Sequence, residues 1–383
     1  MKNSTLIAMV ICLSAFAPKG LAGPGNILLA QKKSAAVSRD RSKFEDISTA
    51  ADRAREESRN DDAIDLYWQG LKLRPAWKQG LWYLGILLYD KEQYPEVRDL
   101  MRRFVSLEPQ AGPGWALLGL SEFQTREYSR SLDHLQRART LGLGDRKEMA
   151  QALFYYVSVL LTRFEQYDDA MALLMAMRKS GTSSELLADP VGLAALRYPF
   201  LPSEIPPARK ELFRMAGQAA LADEAQQRDD AERLFSEMVA AYPNQPGAHF
   251  VYGVFLLNAR PEDGIKELKR ELEIAPYNFT AKLRLADEYL KEQQLDEAQR
   301  LATEVLNLDP HYASAYLVLG EALVAKGDLA RGISSLETAR KLRPETVRIH
   351  WDLLRAYMSV GRTEDAQREK EAIEKLRRSD VQP

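Results

Sequence analysis

The sequence is poor in the residues that build catalytic and metal sites. Its 383 residues include a single cysteine and four histidines, and no two histidines lie three or four positions apart. It contains no His-Glu-x-x-His, Gly-x-Ser-x-Gly or phosphate-binding glycine-rich motif. These absences argue against a disulfide framework, a thiol nucleophile, a helical metal site and the common nucleotide-binding and hydrolase folds. We therefore predict no enzymatic activity, no cofactor and no metal.

Neither charge is in marked excess. The formal net charge is −2 at pH 7, and no run of five or more like charges occurs. General nucleic-acid-binding proteins carry a basic excess or a clustered basic face, and long runs of one sign mark interaction tails. We therefore expect no nucleic-acid partner and no charged tail.

The first residues are typical of a secretory signal peptide. A basic head precedes a mostly apolar stretch from Leu6 to Ala17, and Gly20 and Ala22 supply the small residues that a signal peptidase requires. This pattern predicts a signal peptide over residues 1–22, cut after Ala22, and export to the bacterial periplasm or cell envelope. The alternatives are an uncleaved anchor and a chance apolar N-terminus.

Cleavage at this position would remove the only cysteine. Cys12 lies within the apolar stretch, and Met9, Val10 and Ile11 before it are too large for a lipoprotein cleavage box. The exported chain would hold 51 basic and 55 acidic residues, a net charge of −4. No other apolar run approaches the roughly 20 residues needed to span a bilayer, so we expect no membrane span in the mature chain.

Three landmarks recur along the chain with one period. Apolar segments end in prolines whose successive spacings are 34, 134, 33, 34 and 34 residues, and mostly small residues lie ten positions after and twelve positions before them. Small residues suit the close crossing of two helices, and a proline stops the second helix. The spacing therefore predicts a repeated helix hairpin. The prolines are Pro75, Pro109, Pro243, Pro276, Pro310 and Pro344.

The repeats resemble the tetratricopeptide repeat family. The resemblance rests on "WALLGLSEF" from Trp115, "LVLGEAL" from Leu317 and "DDAIDLYWQGLKLRP" from Asp61, which follow the family pattern of a bulky residue, Leu-Gly and a tyrosine position on the first helix and Ala, Phe and Pro on the second. It implies an all-α, right-handed α-solenoid of about nine hairpins. It also implies that the first helices line a concave groove for peptides or partner helices.

The repeats divide the chain into an N-terminal and a C-terminal array. We predict a flexible segment over residues 23–43, arrays over 44–184 and 212–378, a non-repeat, proline-rich insert over 185–211 between repeats 4 and 5, and a tail over 379–383. The nine repeats are assigned to residues 44–77, 78–111, 112–145, 151–184, 212–245, 246–278, 279–312, 313–346 and 347–378.

The insert carries four prolines within "LRYPFLPSEIPPARK", which begins at Leu196, so no α-helix runs through this stretch. The residues before it, "SSELLADPVGLAALR", suit a short helix. Two interpretations of residues 196–207 stay open. The favoured one is an ordered patch over the join between the arrays, because Tyr198, Phe200, Leu201 and Ile205 suit packing on a neighbour. The other is a gate folded across the groove.

Helical spacing selects residues of the first helices for the groove. The mapped face is apolar and aromatic in the N-terminal array, and it includes Ala116, Leu120, Val159 and Arg163. Such a face suits an amphipathic or hydrophobic partner segment. The alternative is that these side chains pack between repeats and meet no ligand. The partner-binding candidates are Trp82, Tyr89, Phe123, Tyr155, Phe250 and Trp351.

The repeats, the insert and the signal segment account for the whole length, and no stretch is left for a catalytic domain. The sequence therefore favours a non-enzymatic scaffold that binds a partner protein or peptide in the groove. The alternative is a non-catalytic subunit of an envelope enzyme complex, such as one for polysaccharide export, because aromatic platforms also suit sugars.

Overall fold

A computed structural model describes residues 27–379, and this part of the chain is helical without strands. Its α-helices are α1 (Ile27–Glu56), α2 (Asn60–Leu73), α3 (Lys78–Asp90), α4 (Tyr94–Leu107), α5 (Gly112–Gln124), α6 (Tyr128–Leu141), α7 (Lys147–Arg163), α8 (Tyr167–Lys179), α9 (Ser184–Ala195), α10 (Lys210–Glu224), α11 (Arg228–Ala241), α12 (Ala248–Leu257), α13 (Pro261–Ile274), α14 (Phe279–Lys291), α15 (Leu295–Leu308), α16 (Ala313–Ala325), α17 (Leu329–Leu342), α18 (Val347–Ser359) and α19 (Thr363–Ser379). The predicted signal peptide lies outside the described residues.

The predicted all-α repeat array is confirmed. Helices α1 to α8 pair in order as repeats 1 to 4, and α10 to α19 pair in order as repeats 5 to 9. Only α9 and two short 3₁₀ turns, Pro202–Glu204 and Pro207–Arg209, stand outside the hairpins of the described chain. In all nine described hairpins three residues separate the two helices, and so short a connection holds them antiparallel.

The N-terminal segment differs from the prediction. Helix α1 begins at Ile27, so residues 27–43 are helical where we predicted a flexible segment. No glycine or proline occurs between Ile27 and Glu56, and alanine, leucine, lysine and glutamine favour a helix there. Phe44 is 6% exposed and meets the Trp77 ring at 5.1 Å. Packing of α1 onto the rest of repeat 1 is therefore evident from Phe44 onward.

The insert also differs from the prediction, because α9 packs along α10. A Cβ atom on Gly192 would lie 1.8 Å from the carbonyl oxygen of Phe213, and one on Gly217 would lie 1.8 Å from that of Ala188. Two glycines thus let the two helix backbones touch. The short helix expected here forms, but it packs as a partner of α10 within the C-terminal array.

The described chain forms two compact units. The N-terminal unit contains the described residues through Ser183 together with Pro199–Glu204, and the C-terminal unit contains Ser184–Tyr198 and the described residues from Ile205 onward. The proline-rich stretch is therefore divided between the two units.

The small residues lie at helix crossings, as predicted. A Cβ atom on Gly119 would lie 2.7 Å from Leu135 and 3.1 Å from the Ser131 carbonyl oxygen. Gly320 is equally restricted, since its Cβ would lie 2.6 Å from Leu336 and 3.1 Å from the carbonyl oxygen of Gly332. Glycine is thus required sterically where these hairpins close.

A second recurring contact joins the start of a first helix to the proline six residues earlier. Trp115 Nε1 donates to the Pro109 carbonyl oxygen at 2.9 Å. His249 and His350 hold the same position and donate through Nε2 to the preceding proline carbonyls at 3.0 and 2.7 Å. Both histidines are buried. This position of the repeat requires a side-chain N–H donor, and the two histidines supply it.

Candidate functional site

The six predicted partner-binding residues fall on first helices of the repeats. Trp82 and Tyr89 are on α3, Phe123 is on α5 and Tyr155 is on α7, all in the N-terminal unit, and all four are half-buried. In the C-terminal unit Phe250 on α12 is half-buried and Trp351 on α18 is 40% exposed. Each residue therefore keeps some surface available.

Ring contacts join Phe123, Tyr128, Tyr155 and Tyr156, and a separate contact joins Tyr89 and Tyr94; we call these six residues together the aromatic cluster. The Tyr156 ring lies 4.6 Å from that of Phe123 and 5.5 Å from that of Tyr155. Tyr94 lies 5.3 Å from Tyr89, and Tyr128 lies 5.5 Å from Phe123. The rings come from α3 to α7, so consecutive repeats contribute to one surface.

Polar contacts hold the rings in place. Gln124 Nε2 donates to the Tyr156 hydroxyl oxygen at 3.4 Å. Burial, and to a smaller extent the neighbouring Tyr156, raises the pKa of Tyr89 above its ordinary value. Tyr89 is therefore a neutral phenol at physiological pH, and the cluster offers apolar ring faces with hydroxyl groups at their edges.

Part of the predicted face is not available to a partner. Ala116, Leu120 and Val159 are at most 3% exposed, so for these residues the packing alternative holds. Trp82 packs against the Phe104 ring at 5.5 Å. The accessible part of the predicted face in this unit therefore lies toward Tyr89, Phe123 and Tyr155.

Sequence spacing missed Tyr156, which connects the cluster. The mapping followed a stripe through Tyr155 and Val159, and Tyr156 lies beside that stripe. Helix α7 also begins at Lys147, four residues before the start assigned to repeat 4. Two adjacent tyrosines on a 17-residue first helix were the available signal.

A cleft of ≈ 460 Å³ adjoins the aromatic cluster, and we call it the arginine cleft. It is formed by the turn between α5 and α6, the first residues of α6 and the end of α7. Its lining residues are Arg126, Glu127, Tyr128, Ser129, Arg130, Arg163 and Phe164.

The only carboxylate among the residues that line the arginine cleft is already paired with arginines. Glu127 accepts hydrogen bonds from Arg130 at 2.7 Å, from Arg102 at 3.1 Å and from Arg98. Burial would raise the pKa of Glu127, but the hydrogen bonds from Arg130 and Arg98 outweigh it and lower the pKa. Glu127 is thus an anion shared among three guanidinium groups, which leaves the cleft electropositive.

Arg163, a residue of the mapped face, binds part of the proline-rich segment. Its Nη1 donates to the carbonyl oxygen of Pro199 and to the carboxylate of Glu204, each at 2.9 Å. Glu204 also accepts from the backbone N–H of Leu201 at 3.0 Å, and Leu201 is 2% exposed. One guanidinium thus holds a carbonyl and a carboxylate of this segment.

Phe250 lines a separate cleft of ≈ 470 Å³ within the C-terminal unit. Leu196, Tyr198 and Tyr277 share that cleft, and Tyr277 is 74% exposed. The buried carboxylate of Glu271 accepts from the backbone N–H groups of Gly247 at 2.8 Å and Phe250 at 3.3 Å. It thereby satisfies N–H groups at the start of α12 and fixes the backbone that carries Phe250.

Trp351 lies in charged surroundings. Arg348, on the same helix, donates to Asp287 of α14 at 2.9 Å and to Glu321 of α16 at 2.6 Å. Burial and the neighbouring Asp352 raise the pKa of Glu321 to about 8, although Arg348 lowers it. Arg377 lies 5.6 Å from the Trp351 ring centre. Ion pairs through Arg348 therefore connect the first helices of repeats 7 to 9.

The described chain offers little for other chemistry. Within residues 27–379 no cluster of three or more His, Cys, Asp or Glu side chains is arranged to hold a metal ion. Nor does this part of the chain contain a helix of the length and apolarity that a membrane crossing requires.

The chain is similar to several known proteins. Residues 283–334 and 322–378 match the tetratricopeptide repeat family. An 84-residue segment, 22% of this chain, is 34% identical to anaphase-promoting complex subunit 3 of Dictyostelium discoideum and spans only 9% of that protein. The chain is also similar to a solved structure of MamA from Desulfovibrio magneticus RS-1, which contains residue 41 to the end. The two are 23% identical, and the match covers 45% of this chain and 98% of the MamA chain, with a TM-score of 0.38.

The fold defines the class of this chain. It is a helical-hairpin repeat protein, as α1 to α8 and α10 to α19 show. Its repeats 7 to 9 match the tetratricopeptide repeat family.

Proposed function

We propose that this protein is a non-enzymatic scaffold that binds a partner protein or peptide on the aromatic cluster of its N-terminal unit. The observation that carries the proposal is the contact of Tyr156 with both Phe123 and Tyr155, which joins rings of consecutive first helices. Rings already held by neighbours lose little conformational entropy on binding, and tyrosine is enriched among residues that dominate interface energy.

The proposal includes export to the periplasm or cell envelope. Its support is the pattern of residues 1–22, with an apolar core and small residues at the expected cleavage site. Edman sequencing of the protein recovered from an envelope fraction tests this, and we expect Gly23 as the first residue. Recovery of soluble cytoplasmic protein that begins with Met1 would contradict it.

A crosslinking experiment tests the partner-binding surface. A photoreactive phenylalanine analogue replaces Phe123 or, as a control in the same unit, the exposed Thr140 on α6. We expect covalent adducts from position 123 and not from position 140, and loss of these adducts when Tyr156→Ser is added. Equal adducts from both positions, or none from position 123, would refute the proposal.

The identity of the adduct separates the two candidate functions. A structural or secretion component of the envelope would support the scaffold. A glycosyltransferase or a glycan would favour the alternative of a non-catalytic subunit for polysaccharide export, since the ring faces and hydroxyl edges of the cluster also suit sugars.

A further inference from the structure

The arginine cleft lies next to the aromatic cluster but has a different chemistry. Tyr128 belongs to both, with its ring 5.5 Å from Phe123 and the Arg163 guanidinium 5.9 Å from its ring centre. A segment bound to the aromatic cluster would therefore reach the cleft within a few residues. We propose that the arginine cleft binds an acidic side chain of an extended segment of the partner protein. This inference rests on the proposed function.

Charge complementarity is the first argument. The Arg126 guanidinium makes no hydrogen bond or ion pair with any residue of the described chain. Arg163 uses only Nη1 for hydrogen bonds within the same residues, which leaves Nη2 and Nε as donors. Arg130 is 66% exposed, although it shares Glu127. The cleft thus presents unused guanidinium donors, and a carboxylate is the protein group that they bind best.

The chain itself shows what Arg163 accepts. Its partners Pro199 and Glu204 supply a backbone carbonyl and a carboxylate from a segment that prolines keep out of the α-helical conformation. A partner segment with the same chemistry would find matching donors at Arg126 and at the remaining nitrogens of Arg163. Glu204 would then compete for Arg163 and weaken the apparent affinity.

The apolar part of the cleft defines the rest of the ligand. Phe164 is 41% exposed and Tyr128 is half-buried, so both rings can cover an apolar side chain beside the carboxylate. No side chain caps the N-terminus of α6, whose first three residues line the cleft, and its partial positive charge adds to that of the arginines.

The probe is a fluorescein-labelled peptide with the sequence of residues 198–205, YPFLPSEI, and the control peptide carries glutamine in place of its glutamate. Binding is measured by fluorescence anisotropy with the full chain carrying Glu204→Gln, which frees Arg163. We expect the glutamate peptide to bind about tenfold more tightly than the control, since one charge-assisted hydrogen bond supports such a factor.

Variants locate the binding in the cleft. Arg126→Glu should weaken binding of the glutamate peptide about tenfold or more by charge reversal, whereas Arg139→Glu, an equal change at an exposed position of α6, should leave it unaltered. Arg126 makes no hydrogen bond or ion pair with the described residues of the chain, so this effect does not report loss of a polar contact to the chain's own segment. Arg126→Ala in the wild-type background gives a second measurement if Glu204→Gln lowers the melting temperature.

Three outcomes would overturn the inference. These are equal binding of the two peptides, no effect of Arg126→Glu, and displacement of the peptide by inorganic phosphate at equal concentration, which would show a general anion site. Failure of this inference is distinguishable from failure of the proposed function. If Arg126→Glu has no effect while crosslinking from position 123 persists, the scaffold function stands and the cleft has no part in it.

Discussion

The two units use one hairpin repeat but expose different chemistry on their first helices. In the N-terminal unit, Phe123 and Tyr156 belong to a surface of aromatic rings. In the C-terminal unit, Arg348 joins Asp287 and Glu321 from the two preceding first helices. The residues that close each hairpin are alike in both units, since Gly119 and Gly320 meet equivalent leucines. The repeat therefore determines the backbone arrangement, and positions outside the repeat pattern determine the chemistry that each unit exposes.

The C-terminal unit also contains a backbone crossing of two helices, α9 and α10. Gly192→Ala places a Cβ 1.8 Å from the Phe213 carbonyl oxygen, and a backbone atom cannot move aside as a side chain can. We expect a loss of about 3 kcal/mol in unfolding free energy, at the upper end of ordinary overpacking. Urea unfolding followed by circular dichroism measures it.

The matched control is Gly85→Ala in the N-terminal unit. Its Cβ would lie 2.5 Å from the Met101 methyl group, which is the end of a flexible side chain. A loss below about 1 kcal/mol is expected there. Similar losses of unfolding free energy for the two variants would show that the packing of α9 on α10 does not depend on their backbone contact.

The next prediction concerns the segment divided between the units. Leu201 is 2% exposed, so Phe200→Ser with Leu201→Ser should lower the unfolding free energy by about 2–4 kcal/mol through loss of apolar burial. The melting temperature and partner crosslinking are measured together. A lower melting temperature with weaker crosslinking supports the patch interpretation of residues 196–207. A near-normal melting temperature with stronger crosslinking would support the gate.

A third prediction concerns the glycines at which the hairpins of both units close. Gly320→Leu should cost about 1–3 kcal/mol by overpacking against Leu336 and should uncouple repeat 7 from repeat 9. Hydrogen exchange should show faster opening of α18 and α19 than of α14. An unfolding curve identical to that of the wild type would contradict the assigned crossing. Gly119→Leu is the corresponding change in the N-terminal unit and should have a similar cost.

The sequence predicts the parts of this molecule that repeat. The 34-residue spacing places the hairpins, and the small-residue positions identify Gly119 and Gly320, because each repeat must solve the same packing problem. Pairing of α9 with α10 occurs once, through Gly192 and Gly217, and has no period to reveal it. Among the candidate site residues, the contact of Arg163 with Glu204 joins residues that are 41 positions apart, and no local pattern encodes it.

The smallest expected effect concerns His249. It occupies in the C-terminal unit the repeat position that Trp115 occupies in the N-terminal unit. Both donate to a proline carbonyl, but His249 Nδ1 also lies 2.5 Å from Glu267 Oε2. Oxygen acceptors at both ring nitrogens favour the doubly protonated imidazolium. The hydrogen bond with Glu267 is the main cause that raises the pKa of His249, with smaller contributions from the Pro243 carbonyl and from Glu271, although burial lowers it.

The sign of the pH dependence follows from this raised pKa. The pKa of His249 is higher in the folded protein than in the unfolded protein, where it is about 6.5. The protonated ring therefore stabilises the fold fully at pH values below the unfolded pKa. This stabilisation is lost as the pH rises through the folded pKa. The unfolding free energy of the C-terminal unit should therefore fall across this interval. His249→Trp copies the donor of Trp115 without a titratable ring and should flatten the fall, as urea unfolding at successive pH values would show. The contradicting result is an unchanged slope of unfolding free energy against pH, together with an NMR pKa of the His249 imidazole at or below its unfolded value. It would mean that the contact with Glu267 does not stabilise the protonated ring. Trp115 and His249 would then be equivalent structural hydrogen-bond donors only.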